Sequence, residues 1–94
     1  MFNNVAIISR IDRDEAITLA KEISSYMGKR GIVVSFEKEL ADRLKSKEKS
    51  TDFKVDLLIT IGGDGTVLRA FHMTNGVIPI LPIRMGTVGF LCDE

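Results

Sequence analysis

Cysteine is nearly missing from this 94-residue chain, in which Cys92 stands alone. A single thiol excludes an internal disulfide and fits a reducing compartment. Excess charge is missing too, because thirteen Lys and Arg balance thirteen Asp and Glu. No net field is left to gather nucleic acid or an anionic membrane. Long apolar runs are also lacking. The run Val5–Ile8 is too short for a signal-peptide core and has no basic lead. No stretch approaches the ~20 apolar residues of a membrane span. With one histidine, His72, and one cysteine, there is no ligand set for zinc. The chain reads as a soluble, cytoplasmic domain of ordinary composition, 45% hydrophobic and 28% charged.

What is present is alternation. Val5–Ile8 has the continuous apolar character of a strand covered on both faces. Asp12 and Glu15 read as an acidic capping box, followed by Ala16, Leu19, Ala20, Ile23 and Met27 on one helical face. Gly28 and Gly31 close that helix. Ile32–Phe36 is a second strand, and Leu40, Ala41 and Leu44 mark a short helix. Residues 45–52 are the most polar stretch and read as a solvated helix end and loop. Val55–Ile61 is a third strand, Val67–Met73 a third helix and Val77–Ile83 a fourth strand. Pro79 and Pro82 make that last strand short, irregular or an edge, since proline cannot donate to a sheet ladder. The pattern predicts one α/β domain over residues 1–94: a parallel sheet of about four strands with helices on both faces. Ligands of such sheets bind beyond the carboxyl ends of the strands.

One of those ends carries Gly62-Gly63-Asp64-Gly65-Thr66. Three glycines let backbone approach a ligand closely, and a following helix offers unpaired N–H groups to a phosphate. Asp64 is the exception in that setting. Its carboxylate either caps the helix, holds a metal ion or accepts a proton, and Thr66 is a second candidate N-cap. Two familiar phosphate loops are excluded. The dinucleotide fingerprint needs a third glycine where Leu68 stands, and a P-loop needs a lysine that is absent here.

The block Gly62-Gly63-Asp64-Gly65-Thr66-Val67-Leu68-Arg69-Ala70 resembles that of NAD kinases. Ile78-Pro79-Ile80-Leu81, the turn Gly86-Thr87-Val88-Gly89-Phe90-Leu91 and the start Val5–Arg10 are similar to the same family. One departure is Pro82-Ile83-Arg84, where family members commonly have Gly-Ile-Asn. The resemblance implies a Rossmann-like N-terminal domain of a longer, homo-oligomeric enzyme whose β-rich C-terminal domain is absent from this chain. It implies phosphoryl transfer from ATP, with Mg²⁺ arriving on the phosphates, to the adenosine ribose 2′-hydroxyl of NAD, giving NADP. Asp64 would then take the hydroxyl proton, and Gly62, Gly63, Gly65 and Thr66 would meet phosphate. Arg69 would reach a pyrophosphate or the nicotinamide end, against the plain alternative of an exposed helix arginine. Phe90 would line the pocket.

Two other readings stay open at this point. Another Gly-Gly-Asp-Gly kinase, acting on a lipid or a sugar phosphate, shares the loop; those lipid kinases usually carry an acidic residue where this chain has Leu68-Arg69. A non-catalytic nucleotide-binding or assembly module would keep the loop and lose the reaction. The isolated domain is expected to be inactive, and its uncovered apolar face favours self-association or disorder after Pro82. His72, Cys92, Asp93 and Glu94 carry no chemistry in any of these readings.

Overall fold

The computed structural model describes residues 2–49 and 53–85. Seven elements alternate along them: β1 (Asn4–Ser9), α1 (Asp14–Gly28), β2 (Val33–Phe36), α2 (Lys38–Leu44), β3 (Leu57–Gly62), α3 (Asp64–Thr74) and β4 (Ile80–Arg84). The strands form one parallel sheet in the order β2-β1-β3-β4, as the alternation predicts. β1 and β3 lie in the middle, where both faces and both edges of a strand are covered. Their apolar runs answer that environment: Val5 to Ser9 and Leu57 to Gly62 are all buried.

Side chains of successive strand residues point to opposite faces, so each central strand feeds two cores. Val5, Ile7, Leu57, Ile59 and Ile61 meet Ala16 and Ala20 of α1 and Leu40 and Ala41 of α2. Ala6, Ile8 and Leu58 meet Phe53 and Ala70 of α3. Small side chains at Ala16 and Ala20, both fully buried, let α1 lie close against the sheet. Helices therefore cover both faces. At the amino edge, Asp56 Oδ2 accepts the backbone N–H groups of Asn3 and Asn4 at 2.9 and 3.1 Å.

Three local readings need correction. α1 starts at Asp14 behind Arg13, with no side-chain cap, so Asp12 does not form a capping box. The Arg10 guanidinium has taken that carboxylate instead, through two hydrogen bonds. α3 starts at Asp64, three residues ahead of the sequence expectation, and Gly63 is its N-cap without a side-chain bond. Neither Asp64 nor Thr66 is a cap. β4 begins at Ile80, later than Val77, because the prolines delay pairing; it is an edge strand of the sheet, where Pro82 loses no essential bond. The expectation of disorder after Pro82 meets ordered strand as far as Arg84; Gly86 to Glu94, with Phe90 and Cys92, lie outside the described residues. None of the described helices is long and apolar enough to cross a membrane.

Candidate active site

The chain leaves β1 toward β2 on one side and comes back to β3 on the other. The loops that follow β1 and β3 therefore diverge and leave a crevice beyond their carboxyl ends. This is the topological switch point at which open α/β sheets bind ligands. Here the crevice has a volume of about 410 Å³, between Ser9–Asp12 on one wall and Gly63, Gly65, Thr66 and Arg69 on the other.

The three loop glycines have different reasons to be glycine. Gly62 has φ +151° and is buried, and a Cβ there would run into the Thr66 side chain, with Thr66 Cβ at 3.1 Å. The fold requires it. Gly63 is extended (φ −112°), and a Cβ at Gly63 or Gly65 would have no protein atom within 4 Å. Gly65 also sits in the first turn of α3, where glycine costs up to about 1 kcal/mol relative to alanine. No neighbouring side chain requires glycine at these two positions, and their bareness leaves the backbone N–H groups at the start of α3 open to approach.

Asp64 stands at the head of α3 with its side chain 84% exposed, in ion pair with Arg84, itself 63% exposed. β4 sets that pairing up: Arg84 lies in register with Gly62, and the Met85 N–H donates to the Gly62 carbonyl at 3.0 Å. An ion pair this exposed contributes about 0–1 kcal/mol to stability. On its outer side Asp64 borders a groove of about 480 Å³ shared with Val67, Leu68 and Phe71. Asp64 thus lines the outer groove and not the crevice, which its neighbours Gly63 and Gly65 line.

Arg69 reaches the crevice from the next turn of α3. Its Nη1 lies 3.5 Å from Glu37 Oε2 and 3.5 Å from Glu39 Oε1. Glu37 closes β2 by donating its N–H to the Ile7 carbonyl at 2.9 Å, and it is only 5% exposed. Its second oxygen, Oε1, has no hydrogen-bond partner among the described residues. Removing Arg69 from a carboxylate so buried would cost toward the lower end of roughly 3–5 kcal/mol, since Arg69 itself is partly solvated. The third arginine, Arg10, grips Asp12 in a fork, Nε to Oδ1 at 2.7 Å and Nη2 to Oδ2 at 2.8 Å. The hydrogen bond from Arg10 pulls the Asp12 carboxyl down to about 2. Arg43 of α2 ties the same loop by donating to the Ile11 carbonyl at 2.6 Å.

Gly62, Gly63, Asp64, Gly65, Thr66 and Arg69 are thus gathered at one sheet edge. Arg69 is a crevice wall held by two carboxylates, more than an exposed helix arginine. Phe90 lies outside the described residues. His72 is exposed on α3, and no cluster of three His, Cys, Asp or Glu side chains occurs among the described residues. Sequence reasoning missed Arg10, Asp12 and Glu37 as neighbours of the loop. The signal was available: each follows a buried apolar strand, at the end where ligands bind.

Comparison with known proteins agrees with this geometry. Residues 5–93 match the family model described as the ATP-NAD kinase N-terminal domain. An NAD kinase of Pyrococcus abyssi is 46% identical over 92 residues, covering 93% of this chain and 33% of the relative. One from Methanothermobacter thermautotrophicus is 38% identical over 94 residues, covering 95% of this chain and 33% of the relative. A bifunctional NADP phosphatase/NAD kinase of Methanococcus maripaludis is 41% identical over 97 residues, covering 96% of this chain and 17% of the relative. The chain spans about a third of the length of the two NAD kinases.

Proposed function

Since the chain belongs to the NAD kinase family as its N-terminal domain, we propose that it supplies the phosphate-facing half of an NAD kinase site. The reaction is transfer of the γ-phosphoryl group of ATP to the adenosine ribose 2′-hydroxyl of NAD. The observation that carries the reading is the pair of glycines, Gly63 and Gly65, with no steric reason to lack a side chain. They leave the head of α3 bare where the crevice meets it. Phosphoryl transfer needs that arrangement, because its catalysis is mostly positioning and neutralisation of charge on phosphate oxygens.

Asp64 is the proton acceptor in this reading. It is accessible and lines the outer groove, while its two neighbours Gly63 and Gly65 line the crevice, so a hydroxyl on one side and a phosphate on the other can meet there. Gly62 shapes the turn, and Gly63, Gly65 and Thr66 face the phosphates. Arg69, held between Glu37 and Glu39, gives the crevice a fixed guanidinium wall whose charge those carboxylates offset. A divalent cation would come with ATP, coordinated by phosphate oxygens and water, and would neutralise their charge. Asp64 is the carboxylate at hand beside it. The rest of the site, including Phe90, belongs to residues beyond those described and to the remaining length of the enzyme. The isolated domain is therefore expected to form no NADP from NAD and ATP, and NADP formation by the pure domain would remove that expectation.

The test is NADP formation from NAD and ATP with Mg²⁺ by the natural full-length protein, wild type beside Asp64→Asn. The expected result is activity in the wild type and a loss of about 10²–10⁴-fold in the variant. Activity unchanged in Asp64→Asn would remove the proton-acceptor role. No NADP from either protein would remove the kinase reading.

A further inference from the structure

The loop that faces phosphate has one charged side chain, and its sign is wrong. Asp64 repels the polyphosphate that the bare backbone of Gly63 and Gly65 invites. Three arginines stand around it, each on a carboxylate, and they differ in how easily they can leave. Arg69 cannot depart without stranding Glu37, buried and already short of one hydrogen-bond partner. Arg10 is held in a two-point fork by Asp12. Arg84 pairs, among the described residues, with Asp64, and both side chains are largely in solvent.

Resting on the reading of this loop as a phosphate site, we propose that Arg84 is its mobile phosphate-recognising residue, parked on Asp64 until a nucleotide phosphate takes its guanidinium. Register with Gly62 and the Met85-to-Gly62 hydrogen bond keep the Arg84 backbone beside the loop while its side chain swings. A guanidinium can take a phosphate through two parallel N–H bonds, and a polyphosphate carries more charge than the one carboxylate it would replace. The exchange does two things at once. It neutralises phosphate at the head of α3, and it releases Asp64 Oδ1 from its ion pair. Because the exposed pair is weak, the exchange shifts Asp64 toward its unpaired form when phosphate binds, a modest coupling of the base to nucleotide.

The experiment is calorimetric titration of the full-length protein with inorganic tripolyphosphate, in wild type, Arg84→Gln, Arg84→Lys and Asp64→Asn. Arg84→Gln is expected to weaken binding about 10- to 100-fold. Arg84→Lys should restore part of that loss, keeping the charge without the fork. Asp64→Asn should tighten binding about 3- to 10-fold, because it removes both the competitor for Arg84 and a repelling charge. Binding unchanged in Arg84→Gln, no tightening in Asp64→Asn, or no binding by the wild type would each overturn the proposal. Parallel titrations with ATP and with NAD identify the source of the phosphate as the nucleotide whose affinity falls more in Arg84→Gln. If neither falls, the proposal is overturned. These titrations do not depend on turnover, so a protein that binds tripolyphosphate as described but makes no NADP would lose the kinase reading alone.

Discussion

Every residue of β3 from Leu57 to Gly62 is buried, whereas Gly63 to Thr66 are half-exposed or exposed. Both segments look extreme in sequence, one for its branched apolar side chains and the other for having almost none. The strand is built for packing: Ile59 and Ile61 fill one core, Leu58 the other. In the loop after it, only Gly62 answers to a neighbour within the protein. Gly63 caps α3 through its backbone and Asp64 makes an exposed ion pair, but neither Gly63 nor Gly65 is required to be glycine by a neighbouring side chain. Adjacent stretches of one chain can thus be selected for packing and for a ligand, and the steric surroundings of each residue tell which.

Substitutions can break that contrast in order of effect. Ile59→Ala removes a side chain that is 1% exposed at the centre of the sheet. It should cost about 2–5 kcal/mol by denaturant unfolding; a loss under 1 kcal/mol would mean that the core is looser than its burial implies. Gly62→Ala places a Cβ at φ +151° against Thr66, and strain of this kind costs about 1–3 kcal/mol. Gly65→Ala should do the reverse, stabilising α3 by up to about 1 kcal/mol while weakening nucleotide binding. Equal destabilisation by the two glycine variants would erase the distinction between them.

The smallest effect is electrostatic and sits across the crevice. Asp12 titrates at about 2 in the folded protein, against an ordinary value of 3.8. A lowered folded value means that the Arg10–Asp12 fork stabilises above the ordinary value and is lost as pH falls toward 2. An NMR titration of Asp12 should find its midpoint near 2, and Arg10→Gln should return it toward 3.8. The same midpoint in both proteins would leave the fork without energetic content. Because the pair is exposed, the accompanying change in global stability should be slight.

The hydrophobic runs made β1 and β3 legible, and the glycine-rich loop marked the candidate site before any coordinates. Element boundaries were less legible where capping was inferred from residue type. Asp12 and Asp64 are good N-caps in isolation, yet Asp12 is engaged by Arg10 two residues before it and Asp64 by Arg84 from the neighbouring strand. A helix start seen in sequence cannot include that competition. Arg84 stood out as a departure from the family pattern, but its partner could not be read.

By itself, then, the sequence determined that this is an α/β domain with a phosphate-friendly loop after its third strand. Periodicity and glycine content are local properties, and they act over a few residues. Tertiary structure decided which charges meet at that loop. Strand order β2-β1-β3-β4 brings Arg10, just after β1, Glu37, just after β2, and Arg84, at the end of β4, to the same edge as Asp64. Parallel pairing sends every strand's carboxyl end the same way, so residues far apart in the chain become neighbours in one electrostatic network. Register then settles the last detail, setting Arg84 rather than Ile83 opposite Gly62.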